Sequence, residues 1–230
     1  MKTVTERFLK YISFNTKSDE ESQSFPSTDT QLDFGKILVK ELEEIGLKNI
    51  KQDKYGYVTA EIPATAEGFY TVGFIAHMDT SPDASGENIK PQIIENYDGG
   101  DISIGEKTLS PKEFKDLSLY KGQTIIATDG TTLLGADDKA GVSEIIYAAD
   151  YIINHSEIPH GTIKIAFTPD EEVGRGVDYF DVKAFGADFA YTMDGGKIGE
   201  LEYENFNAAR AKIKINGKNV HPGYAKNVMI

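Results

Sequence analysis

Four short segments of the chain carry side chains that could together bind a divalent metal ion. They are residues 74–80 (FIAHMDT), 134–141 (LGADDKAG), 167–174 (FTPDEEVG) and 191–196 (YTMDGG). They supply one imidazole, from His77, and several carboxylates. Carboxylates that converge repel one another, and one bound divalent cation cancels two of their charges. An imidazole with carboxylates and no thiolate suits zinc, cobalt or manganese better than magnesium.

The residue types available for such a site are few. The chain has no cysteine, which excludes disulfides, a cysteine-based zinc site and a thiol nucleophile. It has four histidines, at positions 77, 155, 160 and 221. His155 and His160 lie between a predicted helix and a predicted strand, and we interpret both as loop residues.

Each segment taken alone also has an ordinary structural explanation. A lone histidine such as His77 is more often structural than a metal ligand, and Asp137 with Asp138 would suit the start of a helix. Three consecutive acids are most often a solvated turn, and Asp194 before glycine is an ordinary turn signal. These explanations would have to hold together in four segments that all lie at predicted strand ends or helix starts. We therefore favour one shared site.

The hydrophobic pattern predicts the helices and strands that position these segments. Helices are predicted over residues 1–14, 32–46 and 138–154, and the last of them would bury Val142, Ile145, Ile146, Ala149, Ile152 and Ile153. Strands are predicted over residues 54–62, 70–76, 123–128, 161–168 and 187–193. The intervening residues 80–123 carry only weak periodicity, which predicts a long excursion with short strands.

The alternation of strands and helices predicts an α/β fold with a mixed, largely parallel sheet flanked by helices. Ligands of such sheets bind outside the carboxyl ends of the strands, which is where the four segments fall. From about residue 207 the pattern changes, and residues 208–216 alternate as a half-exposed strand would. We therefore predict one domain over residues 1–206 and the beginning of a second over residues 207–230.

The overall composition argues against several kinds of partner. Of the 230 residues, 37 are Asp or Glu and 24 are Lys or Arg, which gives a formal net charge of −13. A surface this acidic repels phosphate backbones, so we expect no nucleic-acid partner. No apolar run approaches the roughly 20 residues of a membrane span, and the charged N-terminus is unlike a signal peptide. We expect no membrane association and a cytoplasmic location.

Five segments resemble signature segments of the di-zinc exopeptidase family, which includes aminoacylase, carboxypeptidase G and the tripeptide aminopeptidases. They are residues 77–83 (HMDTSPD), 132–141 (TLLGADDKAG), 159–174 (PHGTIKIAFTPDEEVG), 191–196 (YTMDGG) and 219–226 (NVHPGYAK). The likeness extends along the whole chain and is closest to the tripeptide aminopeptidases. It implies an enzyme that releases the N-terminal residue of tripeptides. Residues 1–206 would then be the catalytic α/β domain, incomplete at its C-terminal side, and residues 207–230 the beginning of a smaller α+β lid domain that forms a homodimer.

The resemblance implies a set of metal ligands. His77 and Asp194 would bind a first metal ion, and Glu172 would bind a second. Asp137 would lie between the two ions and bind both. The family implies two zinc ions in each complete site, with cobalt or manganese as substitutes.

The resemblance also implies roles for residues around the ligands. Asp79 would orient the second ring nitrogen of the ligating histidine, and Asp138 would start the helix or support the ligands from outside. Glu171 would be the general base, which takes a proton from the attacking water and delivers it to the leaving amine. His221, in the lid domain, would reach the partner subunit's active site and help to hold the scissile carbonyl oxygen.

The chain departs from the family's pattern in its length. Family members are longer, and their last metal ligand is a histidine near the C-terminus, whose context none of His155, His160 and His221 matches. The second metal ion would keep only Asp137 and Glu172 from this chain. We interpret the chain as an N-terminal portion, which leaves two alternatives open. One is a non-catalytic truncated fragment that binds at most one metal ion, and the other is a related amidohydrolase, a dipeptidase or a deacylase.

Overall fold

The computed structural model describes residues 1–205, 207–209, 211 and 213–217, and the chain divides into two units, Met1–Gly196 and Lys197–Ile230. The described residues of the second unit form neither helix nor strand. The strand expected over residues 208–216 is therefore absent from the part that is described. An alternating segment becomes a strand only where its backbone groups pair with those of another strand, and no such pairing occurs among the described residues of this unit. The domain boundary after residue 206 remains a prediction.

The helices of the first unit are α1 (Val4–Ile12), α2 (Asp29–Ile45), α3 (Ala136–Asn154) and the short α4 (Val182–Phe185). Thr3 and Glu6 form a capping box at the start of α1, since each side chain accepts a hydrogen bond from the other residue's backbone N–H. Helix α2 begins three residues before its predicted start and ends, as predicted, at Gly46, whose φ of 100° favours glycine. No helix among the residues described is both long and apolar enough to cross a bilayer.

The strands are β1 (Lys48–Gln52), β2 (Val58–Ile62), β3 (Val72–His77), β4 (Pro91–Ile94), β5 (Ile102–Ile104), β6 (Lys107–Leu109), β7 (Ile125–Thr128), β8 (Ile163–Thr168) and β9 (Phe189–Thr192). Five of them form the main sheet, in the order β1-β2-β8-β3-β9. The pairs β1–β2 and β2–β8 are antiparallel, and the pairs β8–β3 and β3–β9 are parallel. The predicted mixed sheet with flanking helices is confirmed.

Two parts of the strand prediction differ from the structure. The strand expected from residue 54 begins only at Val58, because the Asp53 carboxylate accepts the backbone N–H groups of Tyr55 and Tyr57, at 2.9 and 3.0 Å, and forms a turn. Strand β1 was not predicted, because its sequence KNIKQ is mostly polar and it lies at the edge of the sheet.

The long excursion between β3 and α3 contains short strands, as predicted. Strand β4 pairs with β7, and β5 pairs with β6, both antiparallel and both separate from the main sheet. A 3-10 helix, Lys115–Tyr120, lies between β6 and β7. The predicted strand over residues 123–128 is therefore present as β7, but it belongs to one of the two-stranded sheets.

One buried cluster joins α1, α2 and α3 to β2, β3 and β8. It includes Tyr11, Phe34, Leu38, Leu42, Val58, Ala76, Val142, Ile145, Ile146, Ala149, Ile165 and Phe167. The predicted apolar stripe of α3 is thus confirmed, and its last two members, Ile152 and Ile153, are partly buried against the same cluster. Full burial of one such large side chain stabilises a fold by about 1.5–3 kcal/mol. The cluster fixes α3 against β3.

A buried group of charged side chains also joins the three long helices. Arg7 in α1 donates from Nε to Glu41 Oε1 in α2, at 3.1 Å, and from Nη2 to Asp150 Oδ2 in α3, at 2.6 Å. Lys10 Nζ donates to the second oxygen of Glu41 at 2.6 Å. The Arg7 side chain is 2% exposed, so its removal would leave two carboxylates buried with fewer donors.

We expect Arg7→Ala to lower the free energy of unfolding by about 3–5 kcal/mol, the range for breaking a buried ion pair from one side. The measurement is urea denaturation followed by circular dichroism. Lys36→Ala is the matched control, because Lys36 pairs with Asp33 on the exposed surface of α2, and we expect a change within about 0.5 kcal/mol. Equal effects of the two substitutions would contradict the structural role of the buried group.

Candidate metal centre

The parallel pairing of β3 with β8 and β9 brings the predicted segments to one edge of the sheet. In the register, His77 lies opposite Thr168 of β8, and Ile75 lies opposite Thr192 of β9. Strand β3 lies between the other two, so His77, its last residue, is flanked by the loops that follow β8 and β9. The start of α3, which packs on β3, supplies the fourth segment.

Three carboxylates face one ring nitrogen of His77. Its Nε2 lies 2.8 Å from Asp137 Oδ1, 3.8 Å from Glu171 Oε2 and 3.9 Å from Asp194 Oδ2. The imidazole itself is buried, with 2% of the side chain exposed. The carboxylates of Asp137, Glu171 and Asp194 are more open, so this nitrogen and its neighbours form a site that solvent can reach.

The other ring nitrogen of His77 faces Asp79. Its Nδ1 lies 3.3 Å from Asp79 Oδ1 and 3.1 Å from the backbone oxygen of the same residue. The Asp79 side chain has no exposed surface, and it also accepts the backbone N–H of Glu171 at 3.0 Å and that of Glu172 at 3.2 Å. Asp79 therefore lies beside the ring nitrogen that the resemblance expects it to orient. It also fixes the backbone of the loop after β8, which the sequence did not indicate.

Asp138 lies at the start of the regular turns of α3. Asp137 and Asp138 have non-helical backbone angles, and the peptide bond between them is cis. Asp138 Oδ1 accepts the N–H of Gly141 and its Oδ2 accepts the N–H of His77, both at 3.1 Å. A Cβ at Gly141 would lie 2.2 Å from the backbone oxygen of Met193, so only glycine permits this close approach.

Negative charge is concentrated at this edge of the sheet. Burial alone would lower the pKa of His77, but its contacts with Asp137 and Asp79 outweigh burial and raise the pKa to about 11. Burial, assisted by the charge of Asp137, raises the pKa of Glu172 to about 7. Burial also raises the pKa of Asp138 to about 8. Buried carboxyl groups with raised pKa values favour a bound cation, because its positive charge stabilises the ionised carboxylates that burial destabilises.

Two groups of described residues could each hold a metal ion: His77 with Asp137 and Glu172, and His77 with Asp138 and Asp194. In each group one ligand atom per residue lies within 4.8 Å of the others. Imidazole nitrogen and carboxylate oxygen are donors that a divalent transition metal accepts. The four ligands that the resemblance implied all occur in these groups. Asp138 occurs as well, but both of its oxygens already accept backbone N–H groups.

Glu171 belongs to neither of the two ligand groups. Its side chain is 52% exposed, and Oε2 lies 3.8 Å from His77 Nε2. Because the backbone of Glu171 is held by Asp79, its carboxylate stays at the site without being used to hold the loop. This carboxylate can exchange protons with a water molecule beside the ligands.

Three further residues support the site, and sequence reasoning assigned them no role. Asp170 is fully buried and accepts hydrogen bonds from Ser27 and from Gln31. Ser27 and Gln31 precede it by 143 and 139 positions, in a polar loop and at the start of α2. The only available signal was the acidic segment itself, and it did not distinguish Asp170 from its two neighbours.

The remaining histidines lie away from the site or outside the described residues. His155 follows α3 directly and stacks on Tyr151 with ring centroids 3.8 Å apart. His160 lies before β8, where its backbone N–H donates to Thr65 Oγ1 at 3.0 Å. The prediction that both are loop residues is confirmed. His221 lies outside the described residues.

No protein-family model matches the chain. Among curated proteins, the peptidase T of Clostridium acetobutylicum is 62% identical over 234 residues, and that of Caldanaerobacter subterraneus is 62% identical over 233 residues. Each match covers 100% of this chain and 57% of the relative. The chain thus spans little more than half the length of the curated relatives it matches.

Two solved structures are similar as well. An aminopeptidase PepT from Bacillus cereus has a TM-score of 0.61 and 27% identity, covering 85% of this chain and 44% of that chain. A tripeptidase from Staphylococcus aureus has a TM-score of 0.59 and 25% identity, covering 84% of this chain and 43% of that chain. These likenesses confirm the predicted exopeptidase-like fold. The curated relatives confirm the resemblance to the peptidase T proteins over the whole of this chain, and the two solved structures confirm it over most of the chain.

Proposed function

We propose that the chain forms the metal-binding part of an aminopeptidase that releases the N-terminal residue of short peptides, above all tripeptides. The observation that carries the proposal is the arrangement at His77 Nε2, with a candidate ligand at 2.8 Å and a free carboxylate at 3.8 Å. The two similar solved structures, an aminopeptidase and a tripeptidase, support the same class of reaction.

The candidate ligands fit two zinc ions. His77 and Asp194 would hold one ion, Glu172 would hold the other, and Asp137 would contact both. Each of these four residues occurs in at least one of the two groups of donors described above, but the residue that those groups share is His77 and not Asp137. Cobalt or manganese would suit the same nitrogen and oxygen donors. When bound, such ions polarise a carbonyl group and lower the pKa of a water molecule.

Glu171 would act as the general base. Its carboxylate takes a proton from the attacking water while the water oxygen forms a bond to the scissile carbonyl carbon. When the carbon–nitrogen bond breaks, the same carboxyl group delivers that proton to the leaving amine. Asp79 supports this step, because its hydrogen bond to the Glu171 N–H holds the base beside the ligands.

The acidic character of the site suits a peptide with a free α-ammonium group, since the carboxylates around His77 attract a positive charge. The same proposal includes a role for His221 in holding the scissile carbonyl oxygen of a peptide in the partner subunit's active site. It also includes a lid and homodimer formed from residue 207 onward and a cytoplasmic location. These rest on the family resemblance and on composition.

A second candidate is a protein that binds one metal ion without turnover. It is favoured by the fact that the two ligand groups share a single imidazole, that of His77. The number of tightly bound ions per chain separates the two candidates: two ions favour catalysis, and one or none favours the inactive protein.

We expect Glu171→Gln to abolish peptide hydrolysis and to leave the metal content nearly unchanged. Glutamine keeps the size of the side chain and can still hydrogen-bond a water molecule, but it cannot take its proton. Loss of a general base typically lowers the rate by about 10²–10⁴-fold. Glu172→Gln should instead lower the metal content, because a neutral amide is a poorer ligand than a carboxylate.

The two variants are compared in a protein that spans the full length of the peptidase T relatives, with tripeptide hydrolysis and bound metal measured for each. If Glu171→Gln loses metal and Glu172→Gln keeps it, the two roles are exchanged. If neither change slows hydrolysis, the two-metal proposal is wrong. Faster hydrolysis of N-acyl amino acids than of tripeptides would favour a deacylase instead.

We expect Asp79→Asn to weaken zinc binding by about 10–100-fold, the usual effect of losing a residue that orients a ligand. The amide has one acceptor oxygen where the carboxylate has two. Its NH₂ group would therefore face either Nδ1 of His77 or the backbone N–H of Glu171 or Glu172, each of which now lies beside a carboxylate oxygen. Zinc affinity is measured by competition with a chelating indicator. Asp83→Asn is the control, since Asp83 is exposed in the same segment. An unchanged affinity in Asp79→Asn would contradict the orienting role.

A further inference from the structure

The acidic loop, residues 169–175, is anchored by Asp170 as well as by Asp79. Asp170 is fully buried and has a left-handed backbone, with φ of 55°. Its Oδ2 accepts the N–H of Ser27 at 2.7 Å, and its Oδ1 accepts the Ser27 hydroxyl at 2.5 Å and the Gln31 amide at 2.8 Å. The carboxylate of Asp170 thus attaches the acidic loop to the segment that begins α2, and Arg175 Nη1 of the same loop lies 4.0 Å from its Oδ2.

Gln31 holds Asp170 from two directions. Its Nε2 donates to the Asp170 carboxylate at 2.8 Å, and its Oε1 accepts the Asp170 backbone N–H at 3.0 Å. The side chain of Gln31 is fully buried, and Nε2 also lies within hydrogen-bond distance of the Ser27 and Thr28 hydroxyls. Among side chains of this length, only the amide both donates and accepts, so it can fix the backbone and the side chain of Asp170 together.

Three successive backbone N–H groups of the acidic loop are therefore bound by buried side chains. The N–H of Asp170 binds Gln31, and those of Glu171 and Glu172 bind Asp79. The backbone is held from both sides, and the carboxylates of Glu171 and Glu172 stay available. This arrangement suits a loop that must present two carboxylates in different roles.

We propose that Gln31, acting through Asp170 together with Ser27, is a positioning residue that sets where Glu171 and Glu172 stand relative to His77. The proposal rests on the proposed function, because it concerns the same metal centre. Metal ligands must lie within about 0.2 Å of their ideal distances, so a small shift of the acidic loop takes Glu172 out of reach of an ion held by His77. A substitution far from the reacting atoms that displaces a catalytic group by about 1 Å can lower the rate about 100-fold.

The first test compares Gln31→Met with Gln23→Met in the 230-residue chain. Methionine has a similar length but makes neither hydrogen bond, and Gln23 is exposed in the loop before α2. The probe is Co²⁺ alone, followed by its visible d–d absorption. We expect Gln31→Met to bind Co²⁺ about 10–100-fold more weakly, with an altered spectrum. Hydrogen exchange should become faster in residues 169–175, and Gln23→Met should behave as the wild type.

The second test exchanges the amide of Gln31 and the carboxylate of Asp170 between the two positions. Gln31→Glu places a carboxylate against that of Asp170, and it should weaken Co²⁺ binding as Gln31→Met does. Adding Asp170→Asn to Gln31→Glu restores one donor and one acceptor between the two positions, and the Ser27 hydroxyl can reorient to accept. The double variant should therefore regain most of the affinity and the wild-type spectrum. Rescue of this kind follows from positioning and not from a loss of packing.

The outcomes separate the two proposals. If Gln31→Met binds Co²⁺ with the affinity and spectrum of the wild type, the positioning role is wrong while the metal centre stands, even if the variant is less stable. If Gln31→Glu with Asp170→Asn shows no recovery, the donor–acceptor pair is not what positions the loop, and the proposal is likewise wrong. If the wild-type chain itself binds no Co²⁺, the proposed function fails and the positioning role at a metal centre fails with it.

Discussion

The buried carboxylate of Asp79 is the contact on which the arrangement of the site depends. It faces the Nδ1 atom of His77 and accepts the backbone N–H groups of Glu171 and Glu172. A buried carboxylate is costly unless donors surround it, and here each oxygen has at least one. The orientation of the imidazole and the place of the acidic loop therefore cannot change independently. The parallel pairing of β3 with β8 makes the contact possible, because it brings His77 opposite Thr168.

Among the described residues, no lysine or arginine forms an ion pair with Asp137, Glu172 or Asp194. Arg7, the most deeply buried arginine described, pairs with Glu41 and Asp150 in the helices. Burial lowers the pKa of Lys139 to about 7, and its ammonium group donates to a backbone oxygen of the loop after α1. Burial raises the pKa values of Asp138, Glu172 and Asp194, whereas the contact with His77 lowers that of Asp137. The combination of excess carboxylate and one imidazole is the condition under which a divalent cation binds favourably.

The parts of the molecule that could be predicted are those with a periodic or local signature. The stripe on α3, the stop at Gly46 and the strands that end near His77 and Asp194 all follow from patterns of a few residues. Strand β1 escaped prediction because a polar edge strand has no apolar alternation. The bonds from Gln31 to Asp170 join residues 139 positions apart, and nothing in either local sequence requires them. Long-range polar contacts depend on the completed fold, and a single sequence carries little trace of them.

Three consecutive acids in the acidic loop have three different surroundings. Asp170 is fully buried, and its carboxylate accepts three hydrogen bonds from Ser27 and Gln31, which attach the loop to the segment that begins α2. Glu172 is partly buried near Asp137, where burial raises its pKa and a cation would be favourable. Glu171 is half-exposed and stands beside the ligands without belonging to either ligand group. Because the loop is held through its backbone and through Asp170, neither glutamate is needed as an anchor, and both remain free for chemistry.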